Sequence, residues 1–257
     1  MKNVFITGAS SGIGLQLVRL LAGRGLRLGL LALPGDDLAK AAALAREAGA
    51  EAVSEYGADV RDREATRSAV ASFAAAAGGL DLFIGCAGVD FEVPLEPFDA
   101  RRAELIYEVN FLGLMHGANA ALEVMLAQGR GHIVGIGSLS AWRILPIHAD
   151  YSVSKCAVEA YLEALRLRLR GRAIAVTTVS PGFVRTPMTV GREKLTPLFY
   201  LAIEADDAAA RILNGIDRRK NFVAFPWHLA LGTRLLRAMP DVIWRLASRL
   251  ISAPKPE

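Results

Sequence analysis

In the stretch DYSVSKCAV, residues 150–158, Tyr151 and Lys155 stand four residues apart. On a helix that spacing puts both side chains on one face, a turn apart. A free tyrosine has a pKa of about 10, too high for a base at neutral pH. A cation beside it stabilises the phenolate and lowers that value. The pair is therefore either a catalytic acid with its helper or a tyrosine and a lysine sharing a solvated helix face. Spacing alone leaves both readings open, and the surrounding elements must decide.

The chain that has to supply those elements is 257 residues long, enough to bury one large core. An apolar fraction of 53% and a charged fraction of 22% exclude a disordered protein. The net charge of +4 and pI near 9.3 are mildly basic, and the arginines are spread without a dense run. That excludes nucleic acid as a natural partner. Cys86 and Cys156 make no disulfide framework, and His116, His132, His148 and His228 are scattered, so no metal site is predicted. No apolar stretch reaches the roughly 18 residues of a membrane span. The first strand-like run starts at Asn3 and leaves no room for a secretory signal, so a cytoplasmic protein is expected.

Seven short apolar runs read as strands: 3–7, 27–33, 51–58, 80–88, 131–138, 172–180 and 221–225. Helical segments are expected at 14–25, 36–48, 62–77, 99–128, 151–171 and 206–216. This alternation, with strands apolar on both sides, predicts an α/β fold: a doubly wound parallel sheet with helices on both faces. The segment LRLRLRGR, 165–172, alternates like a strand, yet the helical spacing before it and Gly171 after it make it the end of the helix carrying Tyr151. Its arginines are then expected to point several ways, as at an exposed end or a subunit contact.

The first strand runs into ITGASSGIG, 6–14, whose glycines Gly8, Gly12 and Gly14 have the spacing GxxxGxG. Glycines there allow a tight turn and close approach of backbone to a pyrophosphate held at a helix N-terminus, which makes the segment a dinucleotide loop. With Thr7 it reproduces the TGxxxGxG turn of the short-chain dehydrogenases/reductases, and the chain resembles that family from Asn3 to about Phe225. Ser138 at the end of IVGIGS, thirteen residues before Tyr151, then Lys155, and Asn110 in EVNFLG match the family's Ser, Tyr, Lys and Asn in order and context.

The resemblance implies a Rossmann-type oxidoreductase moving a hydride between NAD or NADP and an alcohol or ketone. Tyr151 would be the general acid/base, and Lys155 would lower its pKa and hydrogen-bond the nicotinamide ribose. Ser138 would polarise the substrate oxygen, with Ser140 as its alternative. Asn110 would disturb its helix and hold a water in a proton relay to Lys155. Cofactor contacts are implied for Thr7, Gly8, Ser10, Ser11, Gly12, Ile13 and Gly14 in the loop. They are also implied for Asp59 and Val60 after the third strand, for Ala87 and Gly88 after the fourth, and for Pro181, Gly182, Val184 and Thr186 after the sixth. Asp59 has a competing reading as a helix N-cap.

Two departures from the family stand out. Where it reads NNAG, this chain has GCAG, with Gly85 and Cys86 replacing both asparagines. A local structural change is expected there, with Cys86 either a reactive thiol or a buried small hydrophobe. At the end of the second strand neither an acid nor an arginine is present, only Ala32, Leu33 and Pro34, then Gly35, Asp36 and Asp37. The choice between NAD and NADP therefore stays open; Asp36 either reaches the ribose or caps the next helix.

The segments 89–93, 139–148 and 183–200 should face the substrate. Phe91, Trp142, Ile144, Leu145, Ile147, Phe183, Met188, Leu198 and Phe199 make an apolar pocket the expectation, suited to a lipid, steroid-like or aromatic compound. Asp90, Arg143, His148 and Arg185 are expected to be solvated rather than substrate-binding. Residues 1–226 read as the catalytic domain and 227–257 as its C-terminal amphipathic helical extension. There Arg234, Arg237, Asp241, Arg245 and Arg249 alternate with Leu231, Leu235, Val242, Leu246 and Leu250, and Pro240 suits the start of a second helix. Packing or a lid is the favoured role for this extension, and contact with an anionic membrane surface the alternative. The resemblance also implies a homodimer or homotetramer. An extended-family epimerase or dehydratase is disfavoured by the turn spacing and chain length. A non-catalytic nucleotide sensor on the same fold is disfavoured by the intact Ser138, Tyr151 and Lys155.

Overall fold

Leucine- and valine-rich runs need two covered faces, and the chain supplies them by returning each strand parallel to the last through a helix. The computed structural model describes residues 1–94, 96–144, 148–191, 197–240 and 242–244. Its strands are β1 (Asn3–Thr7), β2 (Arg27–Ala32), β3 (Ala52–Gly57), β4 (Leu82–Gly85), β5 (Arg130–Ile136) and β6 (Ala173–Pro181). A short pair, β7 (Val184–Arg185) and β8 (Ile203–Glu204), precedes β9 (Phe222–Phe225). The main sheet is seven-stranded and parallel, in the order β3-β2-β1-β4-β5-β6-β9. The chain reverses its direction of winding between β1 and β4, the crevice where such sheets bind ligands.

Helices α1 (Gly12–Ala22), α2 (Asp36–Glu47), α3 (Arg63–Ala77) and α4 (Ala100–Tyr107) are followed by a π-helical turn, Glu108–Gly113. Then come α5 (Leu114–Gln128), α6 (Ala149–Arg168), α7 (Ala205–Asp217) and α8 (Trp227–Ala238). The strict alternation along β1 separates the layers. Val4 and Ile6 join Leu17 and Leu21 of α1, Leu38 of α2 and Ile212 of α7. Phe5 faces the other way, into Phe73 of α3, Leu114 of α5 and Leu162 of α6. Its ring lies 5.7 Å from that of Phe73 and 6.4 Å from that of Phe83. Gly29 makes room for this cluster, since a Cβ there would come within 2.8 Å of the Phe73 ring.

Several expectations need correction. The long helix over 99–128 is broken by the π turn, which contains Asn110. The fourth strand stops at Gly85, because the backbone of Cys86 and Ala87 turns to Thr7. The arginines at the end of α6 do not all point outward. Arg166 folds back and donates to the carbonyls of Val176 and Asn221 and to the Thr178 hydroxyl, lacing α6 to β6 and the start of β9. Helix α8 packs inward through Leu229 and the buried Ala230, with Arg234 over the Trp142 ring at 5.1 Å. Of the expected second helix only 242–244 is described. Asp241, Arg245, Leu246, Arg249 and Leu250 lie outside the described residues.

The core also holds a titratable group. His132 on β5 is 5% exposed, with Nε2 2.8 Å from the Thr177 hydroxyl oxygen on β6. That hydroxyl donates to the Lys220 carbonyl, so it must accept from His132 Nε2–H, which fixes the tautomer. Burial, helped by Arg219, pushes the His132 pKa down to about 4 from 6.5. Below pH 6.5 the unfolded chain takes up a proton that the folded one refuses, so stability is lost as pH falls toward 4. A His132→Gln variant keeps a donor for Thr177 without the charge. From pH 7 to pH 4 the native protein should lose roughly 3 kcal/mol more stability than this variant. Urea denaturation at the two pH values measures it, and equal losses would refute the assignment.

Candidate active site

The loop after β1 is shaped by what a side chain would hit. Gly8 (φ +68°) lies so close to the backbone of Ala87 that a Cβ would sit 2.6 Å from its Cα. A Cβ on Gly14 would run into the Gly8 carbonyl oxygen. The loop therefore lies flat against the β4 exit, and α1 starts at Gly12 with its cap residue Ser11 making no side-chain cap bond. No acidic residue stands in the first turn of α1. An uncapped, unopposed helix N-terminus beside a glycine turn favours a phosphate.

Behind the GCAG segment, the Thr7 hydroxyl oxygen accepts from the amides of Cys86 (3.3 Å) and Ala87 (3.4 Å). Asn110 is fully buried and grips the next residue from the other side. Its Oδ1 accepts from the Val89 amide at 2.7 Å, and its Nδ2 donates to the Val89 carbonyl at 2.9 Å and to Ser154 Oγ at 3.0 Å. Both amide protons of Asn110 are spent on these bonds. The change expected from losing the asparagines is thus compensated from β1 and from the π turn. Burial pushes the Cys86 thiol up to about 11, which makes it a neutral small hydrophobe rather than a reactive thiolate.

Helix α6 brings Tyr151 and Lys155 to the ends of β4 and β5. Lys155 is 4% exposed, donates to the Ile136 carbonyl at 2.9 Å, and holds Nζ 5.6 Å from the Tyr151 ring centre. Burial lowers its pKa to about 8, while Cys86, Asp90 and Glu159 pull the other way. At neutral pH the ammonium form still dominates. Ser138 follows β5, where its Oγ accepts from the Ser140 amide (3.1 Å) and hydroxyl (2.9 Å). Ser140 is thereby turned toward Ser138 instead of the cleft, while Ser138 keeps its own proton for the cleft.

One cleft collects most of the expected residues: Gly8, Ser11, Gly12, Ile13, Gly14, Ala87, Gly88, Ser138, Tyr151, Lys155, Pro181, Gly182, Val184 and Thr186. Cys86, Ile136, Gly137, Pro187, Met188 and Thr189 line it as well. Pro187 and Thr189 were not singled out in the sequence, although Thr186 and Thr189 close a reciprocal cap around Pro187, a pattern legible in TPMT. Thr7, Ser10 and Asn110 stand outside the lining. Val60 is buried in the core. The Asp59 carboxylate takes the Arg61 amide and guanidinium, which hold it below the usual carboxylate range. The cap of α3 is Asp62, not Asp59, and the cap of α2 is Gly35, not Asp36.

The substrate side differs more from expectation. Trp142 is buried, stacked on Phe222 at 5.4 Å, with its indole N–H on Glu159 at 3.0 Å. Phe199 is buried against Phe183. Phe91 lies under the Arg102 guanidinium. Arg185 binds the Ala202 carbonyl and Glu204. Asp90 and His148 approach to 3.6 Å, both largely buried, so neither is solvated. Arg143 covers the Trp244 ring at 4.4 Å. Met188 and Ile144 remain exposed; Leu145, Ile147 and the side chain of Leu198 lie outside the described residues.

Comparison with known proteins agrees with this architecture. The solved short chain dehydrogenase/reductase of Burkholderia phymatum, in complex with NAD, superposes with a TM-score of 0.84 at 24% identity, covering 95% of each chain. An "uncharacterized oxidoreductase" of Myxococcus xanthus is 36% identical over 250 residues, 96% of either chain. The 11-beta-hydroxysteroid dehydrogenase 1A of Arabidopsis thaliana is 33% identical over 241 residues, 88% of this chain and 68% of that one. The family model described as short chain dehydrogenase matches residues 2–195. With three quarters of its length inside that match, the chain belongs to the short chain dehydrogenase family.

Proposed function

We propose that the protein is a nicotinamide-dependent oxidoreductase acting on an apolar alcohol or ketone, with Tyr151 as general acid/base. The observation that carries this reading is the shared cleft: Ser138, Tyr151 and Lys155 on one wall, the glycine turn and the α1 N-terminus on the other. The flat loop, where a Cβ on Gly8 or Gly14 would collide, fits a dinucleotide, and a nicotinamide bound there supplies or accepts the hydride. In reduction, Tyr151 gives its hydroxyl proton to the carbonyl oxygen; in oxidation the phenolate takes it back. Lys155 stabilises that phenolate. Ser138 donates to the substrate oxygen and holds it in line with Tyr151. Asn110 keeps the Val89 backbone and α6 in register. The apolar lining from Pro187 and Met188, and the steroid named for the Arabidopsis relative, support an apolar substrate.

For this proposal the decisive variant is Tyr151→Phe. Turnover of a ketone and alcohol panel should fall by roughly a hundredfold to ten-thousandfold, with nucleotide binding retained. Retained turnover would sink the assignment. A folded native protein that neither binds a nicotinamide nor turns over any member would favour the non-catalytic reading.

We also propose NAD as the cofactor. Leu33 at the β2 exit is exposed, and Asp36 and Asp37 open α2. The basic side chains near this rim are engaged: Lys40 with Asp37 at 3.5 Å, and Arg61 with Asp59 and Glu108. A ribose 2′-phosphate would meet acids there and no unpaired cation among these side chains. Energy transfer from tryptophan during titration should show NADH binding about tenfold tighter than NADPH or better, a gap of one RT ln 10. The reverse order would refute the choice.

A minor proposal concerns α8. Its outward row Trp227, Leu231 and Leu235 is 73%, 50% and 65% exposed, and the chain is basic, which suits an anionic membrane surface. No helix of the described residues is long and apolar enough to cross a membrane. Cosedimentation with anionic vesicles at low salt, lost in a Leu231→Glu/Leu235→Glu variant, is the expected result. Failure of the intact protein to sediment would remove it.

A further inference from the structure

One half-buried carboxylate has no part in the reading above. Glu159 lies on α6 one turn beyond Lys155, at the same four-residue step that separates Lys155 from Tyr151. Its Oε1 accepts a hydrogen bond from the Ser180 hydroxyl, at the end of β6 beside Pro181 and Gly182. Its Oε2 accepts from the Trp142 indole N–H at 3.0 Å. The backbone amide of Ser138 also favours its ionised form. The approach is close enough that a Cβ on Gly137 would sit 3.0 Å from Oε1, so glycine before Ser138 is what admits the carboxylate. A single side chain thus ties the exits of β5 and β6 and the Trp142 turn to the helix that carries Tyr151 and Lys155.

We infer that Glu159 is a positioning residue, which fixes Ser138 relative to Tyr151 and serves as half-buried counter-charge to the Lys155 ammonium. The inference rests on the oxidoreductase reading for the roles of Ser138, Tyr151 and Lys155. Burying a carboxylate with no donors would force it to take a proton. Here the hydroxyl, the indole and the backbone amide favour the ionised form, while burial raises its pKa. The charged and titratable groups around it are Lys155 and Cys156 on α6 and Arg237 from α8. Those around Lys155 are Cys86 and Asp90 after β4, Glu159, and the Tyr151 ring. Trp142 in turn lies under Arg234, so α8 bears on the site through the same carboxylate.

Glu159→Gln keeps the shape and removes the charge. Losing the anion lowers the Lys155 pKa, and a lysine that has given up its proton no longer stabilises the Tyr151 phenolate. Tyrosinate absorbance, taken as the difference between each protein and its Tyr151→Phe counterpart, should therefore titrate about one pH unit higher in Glu159→Gln than in the native background. This readout needs no substrate. With acetophenone, 1-indanone and 2-decanone as probes, kcat should fall about tenfold while NADH affinity stays within about twofold. A Ser180→Ala variant keeps the charge and removes one donor; it should lower kcat without moving the Tyr151 titration. An unmoved titration in folded Glu159→Gln overturns the inference. So does loss of NADH binding in step with kcat, which would mark Glu159 as a core stitch only. A native protein that binds NADH but reduces none of the probes strikes the functional reading instead, and the titration still judges Glu159.

Discussion

The arrangement of the site depends on keeping one ammonium charged in a place where water does not reach it. Taking such an ion out of water costs several kcal/mol even after relaxation, so it persists only where carbonyls and carboxylates replace its hydration. Lys155 finds the Ile136 carbonyl, left over as β5 ends and the chain turns at Gly137. The carboxylates of Asp90, after β4, and of Glu159, one turn further along α6, add favourable charge. Burial outweighs them, lowering the pKa to about 8, and the margin above neutrality is narrow. Strand lengths, the glycine after β5 and the i, i+4 ladder on α6 all follow from this need.

The close packing that delivers those oxygens explains how the chain does without the two asparagines. Gly85 on β4 is in register with Thr7 of β1 and Gly135 of β5. A Cβ at Gly85 or Gly135 would meet the Leu114 side chain, so this leucine of α5 fills the space that side chains on the strands would occupy. Apolar packing from α5 thus takes over part of what amide bonds would do within the sheet. The remaining backbone donors of the turn are met by Thr7 and Asn110. A neutral Cys86 thiol then adds no second charge beside Lys155.

Much of this was legible in the residues because it rests on local rules. Alternating short apolar runs and helical periods gave the sheet, and the glycine spacing gave the loop, since both reflect backbone geometry over a few neighbours. The Tyr151–Lys155 spacing needed only a helix. What escaped depends on distant partners. Trp142 looked like a pocket aromatic, but a half-buried carboxylate seventeen residues on offered its N–H a bond, and Phe222 offered a stacking face. Arg166 looked exposed, yet Val176 of β6 and Asn221 just before β9 presented carbonyls within its reach. Asp59 found an arginine two residues away, which no helix-cap pattern announces. Strands of two residues, such as β7 and β8, carry no periodicity at all.

These inward-facing aromatics also shift where substrate selection resides. With Trp142 and Phe199 committed to the core, the apolar wall we propose for the substrate falls, among the described residues that line the cleft, to Met188 and Pro187, in the segment after β6. That segment is clamped near its start. The Thr189 hydroxyl donates to the Val184 carbonyl and accepts from the Thr186 amide. Arg185 joins the Ala202 carbonyl and Glu204, and β7 pairs with β8. A clamped base under exposed side chains lets the identity of residue 188 change without moving Pro181, Gly182 or Thr186. The cofactor side of the cleft, built from backbone and glycines, tolerates little change, whereas the substrate side is set by side chains on a fixed loop. Selectivity can therefore vary on this fold while the arrangement of Tyr151, Lys155 and Ser138 that we propose for proton transfer stays as it is.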